Sequence, residues 1–338
     1  MRPNILSIFL PQEGCPNTCI FCNQKAVTGI KSVPGLAEMR KQIISFLKEL
    51  SVSNKRNPEI AYYGGNFTGL PWSLQQSLLE VVRDVALETK QTLTVRISTR
   101  PDCIDDVTLE RLKEYHVATI ELGIQSLSNE VLTASGRGYT RETALDACRK
   151  VKQAGFQLGV HLMLGLPKDT KEKTGATLDA ISVIKPSFIR IHPTLVLKDT
   201  PLATQYYAGE YQPLSLGEAI DWCKEMVNHC EQKQIPIARF GLQPSPELCK
   251  PGTVVAGPFH SAFGELVKSA VAFDRMNERL GNVLQQQQKL KEITFYVPAR
   301  ELSVYRGQRN QNLVRLKEVW SLDTFSIKSE RKITAIQT

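Results

Sequence analysis

The sequence predicts an α/β fold built on a parallel sheet and followed by a smaller α+β extension. Two patterns predict the first part. Apolar, β-branched runs alternate with amphipathic stretches through the first half of the chain, and Gly, Pro and polar residues gather where each run stops. The extension is marked by a third observation: this rhythm breaks after Pro193.

Taken in order, Asn4–Phe9 reads as the first strand and feeds a loop rich in cysteine. A helix over Leu36–Leu50 follows, with Ile43, Phe46, Leu47 and Leu50 on one face. Glu59–Tyr63 is the second strand and ends at Gly64-Gly65-Asn66. Ser73–Glu88 is helical, with Leu78, Val81, Val82 and Val85 at helical spacing. Strands over Thr92–Ser98, Ala118–Ile124, Gln157–Leu164 and Phe188–His192 alternate with helices over Asp106–Glu114, Thr140–Ala154 and Lys171–Ile184. The unusual residues fall at or just beyond strand C-terminal ends, which in a parallel barrel share one chemically active face.

Beyond Pro193, Leu216–Gln234 reads as an amphipathic helix and Arg239–Ser245 as a short strand entering a turn. A helical stretch runs from His260 to about Leu290, with Gln285–Gln288 as an exposed segment of it. Glu292–Pro298 and Leu302–Tyr305 read as a strand or hairpin, and Asn312–Val319 as a short basic helix. Residues 1–235 are thus read as the core and 236–338 as the extension.

A chain of 338 residues, 42% of them hydrophobic, buries a sizeable core. The net charge of +8 favours an anionic partner such as nucleic acid. No apolar run reaches the roughly 18 residues of a membrane span, and Met1-Arg2-Pro3-Asn4 does not open a signal peptide. The expected location is the cytoplasm, where the eight cysteines stay reduced. Cys103, Cys148, Cys223, Cys230 and Cys249 are scattered and read as structural thiols.

Cys15, Cys19 and Cys22 are different: they stand at the spacing C-x3-C-x2-C in one polar loop, Gly14–Asn23. Soft thiolates suit iron, and three from a tight loop can address one cluster. A [4Fe–4S] cluster usually takes four cysteines, so three leave one iron open to a small molecule. A structural zinc site wants four ligands, and no second C-x2-C pair supplies them. A disulfide framework wants a secreted context.

With Phe21 just before Cys22, this loop resembles the cluster loop of the radical SAM superfamily. The resemblance implies an open (β/α)6 partial TIM barrel as the core. It implies two cofactors, a [4Fe–4S] cluster on Cys15, Cys19 and Cys22, and S-adenosylmethionine (SAM) on the open iron. It also implies a reduced electron donor of flavodoxin or ferredoxin type. One electron cleaves SAM to methionine and a 5′-deoxyadenosyl radical, which takes a hydrogen atom from the substrate.

The resemblance extends to further residues. Gly64, Gly65 and Asn66 match the glycine-rich edge that contacts the methionine part of SAM, although the family often carries Glu or Thr in place of Asn66. Ser98 and Arg100 fall near contacts to the SAM amino acid or ribose; some relatives have a carboxylate at Ser98. Gln125 matches a polar contact to SAM, and Arg137 an arginine approaching its carboxylate through paired hydrogen bonds. His161 stands where several relatives place a ribose-binding Asp; its bland alternative is a satisfied core histidine.

Within the superfamily the sequence resembles the catalytic subunit of Elongator, which modifies wobble uridine in tRNA. Tyr63–Thr68, Ser98–Asp102, Glu121–Ser126, Gly165–Pro167, Gly241–Pro244 and Ala256–His260 carry this likeness. That group spaces its first two cluster cysteines more widely and carries an acetyltransferase domain, for which no room is expected here. The resemblance implies a tRNA-like substrate. A porphyrin-type small molecule and a non-catalytic iron–sulfur redox sensor or RNA-binding protein are the alternatives. From Lys289 to Thr338, ten Lys or Arg face five Asp or Glu. Arg300, Arg306, Arg309, Arg315, Lys317, Arg331 and Lys332 interleave there with Tyr296, Tyr305 and Trp320, a composition that suits an RNA surface.

Overall fold

The computed structural model describes residues 3–30, 32–55, 57–286, 292–330 and 335–337. Six parallel strands pair in chain order: β1 (Asn4–Phe9), β2 (Pro58–Tyr63), β3 (Thr94–Thr99), β4 (Val117–Gln125), β5 (Gln157–Leu164) and β6 (Phe188–Pro193). β7 (Val196–Leu197) leaves this sheet. β8 (Ile237–Phe240) returns to pair in parallel with β6, making seven strands curled into an open half-barrel. The sequence reading places this last segment in the extension. It joins the sheet because β6 would otherwise present an unpaired edge. Ile189 N donates to Pro236 O at 2.9 Å and Gly241 N to Ile191 O at 2.8 Å, bracketing β8 on that edge. β9 (Val254–Ala256) pairs antiparallel with β7.

Between the strands lie α1 (Gln24–Thr28), α2 (Leu36–Val52), α3 (Trp72–Thr89), α4 (Asp106–Glu114), α5 (Asn129–Ala134), α6 (Arg141–Gln153), α7 (Lys171–Ile184), α8 (Pro201–Tyr207) and α9 (Leu216–Gln232). Side chains of Asp105, Thr140, Thr170 and Thr200 accept backbone N–H groups at the starts of α4, α6, α7 and α8. One face of the sheet is dominated by apolar side chains: Ile97, Ile120, Leu122, Val160, Leu162 and Ile191 are at most 1% exposed. Amphipathic helices cover it; α2 buries Met39, Ile43 and Leu47, and α3 buries Leu78, Val82 and Val85. Each such side chain contributes about 1.5–3 kcal/mol. The opposite face, at alternate positions, is polar and charged, with Arg96, Ser98, Glu121, His161, Arg190 and His192.

Two compact units emerge: residues 1–215 with 230–259, and 216–229 with 260–338. The second contains α10 (Phe263–Gln286), β10 (Glu292–Pro298), α11 (Leu302–Arg306), α12 (Gln311–Val319), β11 (Thr324–Glu330) and β12 (Ala335–Gln337). β10 is central, parallel to β11 and antiparallel to β12. Met276, Leu280, Phe295, Leu316 and Ile327 build its core. Leu302–Tyr305 is helical rather than a strand: Pro298 starts a tight turn, and Tyr305 is buried one turn after Leu302. Residues 287–291, with part of the glutamine run, lie outside the described residues, as do Arg331 and Lys332.

Candidate active site

The cysteine loop is fastened to the loop after β2 by close backbone packing. Gly14 adopts φ +72°, and a Cβ there would sit 2.3 Å from Asn66 O. A Cβ on Gly65 would meet both Leu10 O and Glu13 O at 2.5 Å. Gly64 lies against the Phe9 ring at the end of β1, and Gly65 against the Leu10–Glu13 turn that leads into the cysteine loop. Asn66 is fully buried, and its side chain is fully engaged. Its Nδ2 donates to Gly14 O at 2.7 Å and lies 3.1 Å from Cys103 Sγ; its Oδ1 accepts from Thr99 Oγ1 at 2.6 Å and Arg100 N at 3.0 Å. Asn66 ties the cysteine loop to the end of β3, and its backbone is engaged as well: its N donates to Glu13 O at 2.8 Å and its O accepts from Gly69 N at 3.0 Å.

Cys19 is buried, Cys22 half-buried and Cys15 exposed. Burial, with Cys19 and Cys15 nearby, pushes the Cys22 thiol up to about 12. A thiol raised this far, as at Cys22, ionises near neutral pH only where a cationic centre supplies compensating charge. Part of that charge is already present. Arg137 Nη1 lies 2.9 Å from Cys19 Sγ and Arg100 Nη1 lies 4.0 Å from it. Arg100 is 4% exposed and pairs with both carboxylate oxygens of Asp102 at 2.9 and 2.7 Å. Arg137 is 5% exposed; it donates to Tyr139 Oη at 2.9 Å and to Gly123 O at 2.5 Å. Both guanidiniums lie over the Tyr139 ring. Among the described residues no three His, Cys, Asp or Glu side chains converge as ligands of a single metal ion. Cysteines that each take a separate iron of one cluster need no such convergence.

Inside the half-barrel, Glu121 is the hub. Its carboxylate pairs with His161 Nε2, with Arg96 Nη1 at 2.7 Å, with Arg190 Nε at 2.9 Å, and accepts from Tyr63 Oη at 3.1 Å. Burial alone would raise its pKa. His161, Arg190 and Arg96 outweigh that and hold the carboxyl well below the usual range. Arg96 also meets Glu59 at 2.7 Å. His192 stacks near His161 at 5.7 Å between ring centroids, and burial, then His161 and Arg190, push its pKa down to about 3. Gln125 ends β4 with φ +65°, a conformation that costs a non-glycine residue about 1–3 kcal/mol and gathers at ligand sites. Ser98 Oγ, His192 Nδ1 and Arg239 Nε are buried without a hydrogen-bond partner among the described residues. Polar atoms left bare on an inner face suit a site that receives a polar ligand.

Thus Ser98, Gln125 and His161 share the interior, whereas Arg100 and Arg137 line the cysteine loop, Gly65 and Asn66 brace it and Gly64 packs on Phe9. Glu121 and His192 are legible in the sequence as polar residues near active-site turns; the position of Tyr139 under the two guanidiniums and the joining of Glu121 to Arg96, Arg190 and Tyr63 are not. The available signal was a charged residue between β-branched neighbours, as in Val95-Arg96-Ile97 and Ile189-Arg190-Ile191. In the second unit the aromatic part of the expected RNA surface is corrected. Tyr305 is 8% exposed, and Trp320 donates to Asn277 Oδ1 at 2.8 Å and packs on that unit's core. The rings are needed for the core, while Arg300, Arg306, Arg309, Arg315 and Lys317 stay exposed. His260 Nδ1 accepts from Ala262 N and shapes a turn.

The family model of the radical SAM superfamily matches residues 9–181, and that of the radical SAM C-terminal domain matches 186–272. The chain belongs to the radical SAM superfamily. It is an enzyme of that class, with a [4Fe–4S] cluster and SAM as cofactors. This radical SAM protein is 26% identical over 246 residues to the uncharacterized protein MJ0486 of Methanocaldococcus jannaschii, covering 70% of this chain and 75% of that one. It is also 26% identical over 254 residues to the tRNA uridine(34) acetyltransferase of the same organism. That match covers 64% of this chain and 47% of the acetyltransferase, so the chain spans about half of that relative's length. Among solved structures, Elp3 of Methanocaldococcus infernus superposes with a TM-score of 0.61 at 20% identity, over 88% of this chain and 69% of that one, a likeness of fold.

Proposed function

We propose that this radical SAM enzyme modifies RNA, with a tRNA-like molecule as substrate. The support is the match to tRNA uridine(34) acetyltransferases, together with a barrel interior in which Ser98 Oγ, His192 Nδ1 and Arg239 Nε lack hydrogen-bond partners among the described residues. In this reading Cys15, Cys19 and Cys22 hold the cluster. Ser98, Gln125 and His161 meet SAM from the interior, Arg100 and Arg137 approach it beside Cys19, and Gly64, Gly65 and Asn66 hold the loop that carries the ligands. Bound there, cluster and SAM supply reductive cleavage of the sulfonium to methionine and a 5′-deoxyadenosyl radical, the hydrogen-atom acceptor of this class. The chain's own part is positional and electrostatic. Arg137 and Arg100 place positive charge at the Cys19 sulfur. Glu121 fixes the orientation of His161, while Leu and Ile on the outer face keep water from the sheet. Residues 1–215 with 230–259 serve as the core, β8 included, and the exposed arginines of the second unit meet phosphate.

A flavodoxin- or ferredoxin-type protein is the proposed electron donor. The cytoplasm is the proposed location; no helix among the described residues is long and apolar enough to cross a membrane. The test is anaerobic. The reconstituted enzyme is given SAM and reductant, with unfractionated tRNA, with tRNA first digested to nucleosides, or with neither. Intact tRNA should raise 5′-deoxyadenosine formation several-fold. Equal formation in all three arms would remove RNA as the substrate.

A further inference from the structure

We propose that Arg239 and Arg190 form a binding site for an anionic group, a phosphate or a carboxylate, of the enzyme's substrate. This rests on the reading of the barrel interior as the substrate site and gives what enters it a chemical class.

Arg190 and Arg239 are register partners on the parallel strands β6 and β8. Their Cα atoms are therefore separated by roughly the 4.8 Å interval between neighbouring strands. Arg190 turns into the half-barrel, where it meets Glu121 and Tyr63; a register irregularity after Ile189 sets Arg239 opposite it, and the charges of Arg190 and Tyr63 both act on Arg239, which puts it on the same side. Two like charges directly opposite each other on adjacent strands destabilise a sheet. Nothing among the described residues offsets the second of them. Arg96 and Arg190 are matched by Glu59 and Glu121. Arg239 meets only the neutral Gln243, to whose Oε1 its Nη1 donates at 2.8 Å, while its Nε is buried without a partner. Burial, then the neighbouring Arg190, lower its pKa. A guanidinium nevertheless stays charged in proteins.

The fold thus holds an unbalanced cation against a second one. Glu121 and Tyr63 hold Arg190 Nε and Nη2, and Gln243 holds Arg239 Nη1, so the N–H groups left for one oxyanion are Arg239 Nε and Nη2, which form one fork, and Arg190 Nη1 beside them. His192, two residues beyond Arg190 on the same face, adds a neutral ring with an unpartnered Nδ1. An anion bound here would relieve the repulsion that the free protein carries.

The experiment titrates the cluster-loaded, full-length protein by anaerobic calorimetry with inorganic phosphate in one arm and acetate in the other. Binding of either probe is expected, at least tenfold weaker in Arg239→Gln and retained within a few-fold in Arg239→Lys. The arm that binds more tightly tells a phosphate ester from a carboxylate. Arg239→Gln should also unfold at the same or a higher temperature than the wild type in anion-free buffer, because it removes an uncompensated charge. Should Arg239→Gln not fold, Arg239→Met, which keeps the packing of the stem, gives the same readout. No binding of either anion, or equal binding with Gln at 239, overturns the proposal. The titration needs no turnover, so its failure leaves the SAM-cleavage reading standing, and a failure of SAM cleavage leaves the titration readable.

Discussion

Arg137 Nη1 points at Cys19 Sγ across 2.9 Å while the same guanidinium holds Tyr139 Oη and Gly123 O. One side chain therefore links the cysteine loop, the end of β4 and the turn before α6. A lysine keeps the charge but cannot reach three partners in fixed directions. Arg137→Lys should cost about 3 kcal/mol or more, as hydrogen bonds to charged groups are each worth about 1.5–3 kcal/mol. Urea denaturation of the two proteins measures this. A loss below about 0.5 kcal/mol would mean that these bonds add almost nothing beyond what water supplies.

Asn66 joins Gly14, Thr99 and Arg100 through one buried amide. Asn66→Ala should destabilise the protein by about 2–4 kcal/mol, since each buried group left unsatisfied costs about 1–3 kcal/mol. It should also loosen the cysteine loop. Iron and sulfide per chain after reconstitution should fall clearly below wild type, and full cluster loading in this variant would contradict the tethering role.

Glu121→Gln removes the charge on which Arg96, Arg190 and His161 converge. Breaking a buried ion pair from one side costs about 3–5 kcal/mol. Denaturation midpoints should drop accordingly; a neutral effect would show that the three cations find other partners.

Asp169 accepts from Gly165 N and Thr170 N, yet burial pushes its carboxyl up to about 6. The folded state then holds a proton that the unfolded chain, titrating near 3.8, releases. Stability from this group rises as pH falls from about 6 toward 4 and is lost as pH rises through 6. His192 runs the other way: with a folded pKa of about 3 against 6.5 unfolded, it loses stability as pH falls below 6.5. The two overlap, so the informative quantity is a difference. Wild type minus Asp169→Asn should gain about 1–3 kcal/mol between pH 7 and 4. A flat difference would place the Asp169 pKa in the ordinary range.

The strand–helix alternation was legible because each strand pairs with the next in chain order, so apolar runs such as Gly159–Leu164 map directly onto buried neighbours. β8 was legible only as a short strand entering a turn over Arg239–Ser245; that Ile237–Phe240 belongs to the barrel sheet follows from the open edge of β6, which no local signal reveals. The cysteine loop declared itself through spacing, and Gly64-Gly65 through composition, but that Gly64 packs on Phe9 and Gly65 on Leu10 and Glu13 depends on a distant segment. The Glu121 network was hidden for the same reason. Charges on β2 to β6 meet only once the register sets Glu121 beside Ser98 and Gly159, and His161 beside Arg190. Tyr305 and Trp320 misled because basic and aromatic residues adjacent in sequence separate into surface and core once α11 and α12 form.

The central claim is that Cys15, Cys19 and Cys22 hold a cluster that reduces SAM. Its most direct test incubates the anaerobically reconstituted protein with SAM and dithionite and quantifies 5′-deoxyadenosine, beside Cys15→Ala, Cys19→Ala and Cys22→Ala. The account predicts formation by the wild type and loss to background in all three variants. Wild-type activity that survives removal of any one of these cysteines would contradict it.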